Sequence, residues 1–167
     1  MTCIIGVKHE NRIYMGSDSA ITLHHGLIAA TDTKIHKYFN CLVGFSGPKS
    51  VPNLIDEEFK IFEGKFDSAH LNKIWRTLIN CTPANCESEL LIATNKNKLI
   101  WVGNMASWRY IIENYECIGN GAQIAKGAME MSNYYSNDPQ ERIIKSLEIS
   151  NKFCTGVRPP FYIESIG

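Results

Sequence analysis

The chain opens MTCIIGVKHENRIYMGSDSA, and its second residue is a threonine set against an apolar stretch that starts at Cys3. If Met1 is removed, Thr2 presents a hydroxyl and a free α-amine within reach of one another, directly or through one water. One residue then supplies both a nucleophile and a base. An aliphatic hydroxyl is a poor nucleophile at neutral pH, and an α-amine with an ordinary pKa of about 7.7 to 8.0 is suited to take its proton. Met1 is expected to be absent from the mature protein, because position 2 is small and the chemistry needs a free amine. Loss of two residues would instead expose the Cys3 thiol, but no signal for a second processing step is visible.

Other residue types that do chemistry are present without the spacing they need. The six cysteines are scattered at 3, 41, 81, 86, 117 and 154, with no CxxC pair, and His24 and His25 are adjacent rather than at helical i, i+4 spacing. No metal site and no cofactor is expected. Cys3, Cys41 and Cys117 sit in apolar runs and are read as buried thiols, and His24–His25 as an exposed turn before Gly26. Lys+Arg and Asp+Glu both total 17. A net charge of zero carries no footprint for nucleic acid or a membrane surface. With neither a signal-peptide pattern nor an apolar run near the roughly 20 residues of a spanning helix, the protein is expected to be cytoplasmic.

These residues need a frame to hold them, and 167 residues suit one domain over 1–167, able to bury roughly two-thirds of its unfolded surface. Residues 3–46 read as short strands: TCIIGVKH, RIYMGSD, GLIAATD, KIHKY and NCLVGFS. At GPKSVPNLIDEEFKIF the period becomes helical through Leu54, Phe59 and Phe62, with Pro48 close to the start. SAHLNKIWRTLIN repeats that period through Leu71, Ile74, Trp75 and Leu78. These two helices are expected to cover the sheet formed by the strands before them. Strands resume at SELLIATN, KLIWVGN, RYIIEN and YECIGN, which implies a second sheet covered by the amphipathic AQIAKGAMEMSNYY and DPQERIIKSLEISNKF. Asp138 is the expected N-cap of the last helix, with Pro139 at its first position. The chain closes in the strand-like FYIESI. That order describes an α+β fold, a four-layer αββα sandwich with two sheets face to face between helical layers.

MTCIIGV, GSDSAIT, TDTKI, LVGFSG and YECIGNGAQIAKGAM, in that order and spacing, resemble the proteasome β-subunit family of N-terminal-nucleophile hydrolases. The likeness spans nearly the whole chain. In size the chain is similar to the peptidase subunit of bacterial HslUV (HslV) and to short proteasome-like proteins of bacteria and phages. The resemblance implies the αββα sandwich, and it gives roles to further residues. Lys34 matches the family lysine, whose charge beside the terminal amine lowers that amine's pKa. Asp18 matches the aspartate that holds the lysine and keeps it charged. Gly47, after an apolar strand and before a helix, is the expected backbone donor to the oxyanion, with Gly44 as a rival for that role. The resemblance also implies a peptide or protein substrate, a closed homo-oligomeric ring and an ATPase unfoldase as a partner. SAHLNKIWRTLIN and AQIAKGAMEM are the helical faces expected at ring contacts.

Three positions depart from the family. Pro48 stands where a glycine is common and removes only its own N–H. Asn120 replaces the serine of the family's glycine turn, and its amide still donates and accepts. KFCTG puts Lys152 at a family acid and Thr155 at the following hydroxyl. If Lys152 points inward beside Lys34, two ammonium groups raise the local potential; if outward, only an acid is lost. The readings open at this level are an active threonine hydrolase working through an acyl-enzyme on Thr2, a catalytically silent subunit for assembly or gating, and a small-molecule amidohydrolase on the same scaffold.

Overall fold

Alternation along the first strand sorts the residues into layers. Cys3, Ile5 and Val7 point one way, into a cluster with Met129, Ile143 and Leu147, while Ile4 points the other way, onto Ile13, Met15, Leu42 and Leu91. A strand buried on both faces belongs in the middle of a layered fold. The computed structural model describes residues 2–23, 26–29, 33–60 and 66–167, and of 22–23 and 26–29 the backbone alone. Met1, the His24–His25 turn, the end of GLIAATD and Phe62 lie outside the described residues.

The elements run β1 (Ile4–His9), β2 (Arg12–Ser17), β3 (Ala20–Leu23), β4 (Gly26–Ala29), β5 (Ile35–Lys37), β6 (Cys41–Ser46), α1 (Val51–Lys60) and α2 (Ser68–Cys81). They continue with β7 (Glu89–Thr94), β8 (Leu99–Gly103), β9 (Trp108–Tyr110), β10 (Tyr115–Ile118), α3 (Ala122–Ser132), α4 (Pro139–Phe153) and β11 (Tyr162–Ile166). One antiparallel sheet has the order β10-β1-β2-β11 and a second the order β5-β6-β7-β8-β9; β3 and β4 form a separate hairpin. Helices α1 and α2 cover the second sheet, α3 and α4 the first, and the two sheets face each other across Ile4, Met15, Leu42, Leu91 and Leu99. This is the expected αββα sandwich.

The allotment of strands differs from expectation. Residues 3–46 do not make one sheet and residues 89–118 another: β1 and β2 pair with β10 and β11, whereas β5 and β6 pair with β7. Period-2 patterning fixes which face of a strand is buried but not which strand lies beside it. The α1 stripe also differs, being Val51, Ile55 and Phe59, with Leu54 56 % exposed. On α2 the stripe holds through Leu71, Ile74 and Leu78, and Trp75 is half-buried. Asp138 caps α4, accepting the Gln140 N–H at 2.9 Å, which contributes about 1 kcal/mol to the helix. All six cysteines are free, and Cys3, Cys41 and Cys117 are buried. Among the described residues no helix is long and apolar enough to cross a membrane.

The sheets approach closely at Gly44, where a Cβ would lie 2.8 Å from Ile4 Cγ2 and 2.9 Å from Met15 Cε. Gly44 is therefore packed between the layers.

Candidate active site

Thr2 continues the alternation of β1, so it shares a face with Ile4 and opens at the end of the inter-sheet layer, while Cys3 faces the α3–α4 side. Thr2 is only 5 % exposed, and it lines a cleft of about 350 Å³ with Lys34, Phe45, Gly47, Pro48 and Lys49. Its carbonyl oxygen accepts the Gly121 N–H at 3.1 Å. Cys3 is turned away from this cleft. Its side chain is fully buried, its Sγ lies 3.9 Å from Ser150 Oγ, and burial pushes its pKa up to about 12. A thiol so held is neither ionised nor accessible.

Asp18, just past the end of β2, is 0 % exposed and surrounded by donors. Its Oδ1 accepts the Cys3 N–H at 2.8 Å and the Lys34 ammonium at 2.7 Å; its Oδ2 accepts the Ala20 N–H at 3.0 Å and the Arg158 N–H at 3.4 Å. The Asp18 N–H in turn donates to the Cys3 carbonyl at 3.2 Å. A buried carboxylate is tolerated when its lone pairs are met this fully. The same contacts tie Lys34 to the backbone next to Thr2. Burial lowers the Lys34 pKa from its ordinary 10.5, and the Asp18 carboxylate works against that fall.

Gly47 lies at the junction of two clefts. It lines the one that holds Thr2 and Lys34, and also a neighbouring cleft of about 230 Å³ with Ser46, Glu87, Glu89, Gly119 and Asn120. Helix α1 begins at Val51, so Gly47 lies in the turn that follows β6 and precedes the helix. Its rival Gly44 lies in the sheet interface and lines neither cleft.

Asn120 is exposed in the turn between β10 and α3, in the second cleft. The structure thus gathers Thr2, Asp18, Lys34 and Gly47, with Asn120 across Gly47 from them. Thr155 stands apart, on an exposed turn after α4, and lines neither cleft. Lys152 is exposed in the last turn of α4, where a cation complements the helix dipole, and it does not line the cleft beside Lys34.

Two residues near the site were given no role by the sequence. Arg158 donates its N–H to Asp18 and its guanidinium to the carbonyls of Asn151, Cys154 and Val157, so it closes the end of α4 onto the Asp18 loop. Glu89, at the start of β7, accepts the Gly119 N–H at 3.0 Å. An arginine followed by two prolines and an acid before an apolar strand signal neither contact, because both partners are distant in the chain.

No family model matches the chain. In sequence it is 28% identical over 165 residues to the ATP-dependent protease subunit HslV of Treponema denticola, covering 92% of this chain and 89% of that one. In structure it is similar to Thiobacillus denitrificans BPH in complex with epoxomicin, with a TM-score of 0.83, 17% identity and coverage of 99% and 98%. It is also similar to eukaryotic HslV from Trypanosoma brucei, with a TM-score of 0.80, 14% identity and 99% of both chains covered.

Proposed function

We infer that this chain, HslV-like in sequence and built on the proteasome β-subunit fold, is an N-terminal threonine hydrolase that cuts peptide bonds within an oligomer. The observation that carries the reading is the gathering of Thr2, Lys34 and Gly47 on one cleft, with Asp18 paired to Lys34 behind it. In the mature chain the Thr2 hydroxyl oxygen attacks the scissile carbonyl carbon, and the α-amine of the same residue takes the hydroxyl proton. The negative charge that forms on the carbonyl oxygen is met by the Gly47 N–H. The C–N bond then breaks as the ammonium returns its proton to the leaving amine, which leaves an ester on Thr2. Water, deprotonated by the same amine, attacks that ester to release the carboxylic acid and restore the hydroxyl.

The remaining residues differ in what they bring to this cycle. Lys34 contributes positive charge near the amine and favours its neutral, basic form, and Asp18 fixes Lys34 in place. Asn120 offers an amide on the far side of Gly47. Thr155, on an exposed turn that lines neither cleft, is given no part in the cycle. The silent-subunit reading rests on Asn120 and on Lys152; the exposure of Lys152 speaks against a second ammonium beside Lys34 and leaves the loss of the family acid.

A closed homo-oligomer working with an ATPase unfoldase is the assembly that suits a relative named as an ATP-dependent protease subunit. Exposed Met131, Tyr134 and Tyr135 at the end of α3 supply apolar surface for such contacts. Sedimentation of a concentration-independent 18.8 kDa species would refute the assembly.

The chemistry is tested by intact mass and by labelling. The mature protein should lack Met1, a threonine-directed electrophile should map to Thr2, Thr2→Ser should retain turnover, and Thr2→Ala should abolish both label and turnover. A mature protein that keeps Met1 quantitatively, or a label on Cys3, overturns the reading.

A further inference from the structure

Glu89 belongs to one sheet and holds a turn of the other. It opens β7 opposite Ser46, and its Oε2 accepts the N–H of Gly119 at 3.0 Å. Its second oxygen, Oε1, accepts the indole N–H of Trp101 at 3.0 Å, and the guanidinium carbon of Arg109 lies 5.3 Å from that indole's centroid. Gly119 sits against the nucleophile residue: a Cβ there would lie 2.4 Å from the Thr2 carbonyl oxygen and 2.9 Å from Ser46 Oγ. Two residues further on, the Gly121 N–H donates to that carbonyl oxygen. The turn that grips the Thr2 backbone is thus gripped in its own right by Glu89.

We propose that Glu89 is a positioning residue for the threonine site, its carboxylate locking the Gly119–Gly121 turn and, through it, Thr2. The proposal rests on Thr2 being the nucleophile and adds a residue outside the set matched to the family. The side chain suits the task because two N–H donors, from Gly119 and Trp101, converge on it and a carboxylate is acceptor-only at both oxygens. Glutamine has one acceptor oxygen and one NH2, so it sets donor against donor at one of the two contacts. Glu89 makes no bond to substrate in this scheme; it acts by keeping the Thr2 hydroxyl and amine aligned on the cleft, where small misplacements cost much rate.

The test compares mature wild type, Glu89→Gln, Trp101→Phe and the double variant in labelling by a peptide epoxyketone, which engages both the hydroxyl and the amine of an N-terminal threonine. Thermal melts run in parallel. Glu89→Gln should lower the saturating labelling rate about tenfold to a hundredfold while half-saturation moves less than about threefold. Trp101→Phe alone should label near the wild-type rate. The double variant should recover most of the loss, since without the indole N–H the amide turns its oxygen to Gly119. Wild-type labelling rates in a folded Glu89→Gln protein, or a loss that Trp101→Phe does not relieve, overturn the Glu89 assignment and leave the threonine reading intact. A mature wild type that takes no label overturns the threonine reading and this proposal with it.

Discussion

The Lys34 ammonium lies 2.7 Å from Asp18 Oδ1, the oxygen that also accepts the Cys3 N–H at 2.8 Å. One carboxylate oxygen thus joins a cation from the β5 side of the fold to the backbone that carries Thr2. The charge and the proposed nucleophile are held to a common point.

Asp18→Ala should therefore be strongly destabilising. It leaves the Lys34 ammonium, whose side chain is 14% exposed, without its carboxylate, and the Cys3 and Ala20 N–H groups without acceptors. Breaking a buried pair by removing one partner costs about 3–5 kcal/mol. Urea denaturation is the measurement, and a loss under about 1 kcal/mol would contradict the structural role.

Lys34→Ala should destabilise less, because Asp18 keeps three backbone donors. Without the nearby positive charge the Thr2 amine binds its proton more tightly, so less of it is basic at neutral pH. Turnover at pH 7 should fall by about tenfold or more and recover in part as pH rises. A uniform loss across pH would remove Lys34 from the control of the amine.

Gly119→Ala probes the turn against Thr2. At φ +87° an L side chain is strained, and its Cβ would lie 2.4 Å from the Thr2 carbonyl oxygen. Stability should fall by about 1–3 kcal/mol, and activity should fall further than the remaining folded fraction explains. Melting curves and turnover measured on one preparation separate the two effects.

The buried thiols predict how stability varies in alkali. Burial raises Cys3 and Cys41 from 9.0 to about 12, and Cys117 rises as well. Between 9.0 and about 12 the unfolded chain loses these protons while the folded chain keeps them, so stability is full below pH 9 and declines above it. Cys41→Ala should flatten that decline in denaturation midpoints taken from pH 7 to 10.5, although its stability at pH 7 will be lower. An unchanged slope would assign the decline to other groups.

Of the candidate site, Thr2 was legible from the chemistry of its own hydroxyl and amine, while Asp18, Lys34 and Gly47 were legible through the family resemblance of the short stretches that carry them. The helices were legible because a stripe such as Leu71, Ile74 and Leu78 is written locally. Strand neighbours were not. The partner of Ile4 is Ile118 on one side and Ser17 on the other, and nothing in IIGVKH selects a strand so far away. Glu89 and Arg158 escaped notice for that reason, because their contacts exist only once distant turns are brought together. Lys152 was visible as a charge, but its direction depended on where α4 ends.

The order β10-β1-β2-β11 has a meaning for the chain as it is made. The first two strands leave the ribosome as a hairpin whose outer edges stay bare until β10 and then β11 emerge. At ordinary translation speed the wait for β11 is on the order of ten seconds. For most of that time the Gly119–Gly121 turn that holds Thr2 is still unmade, and the Arg158 segment that closes over Asp18 comes only just ahead of β11. A nascent chain thus carries Thr2 for seconds before the contacts that fix its backbone in the finished fold can form.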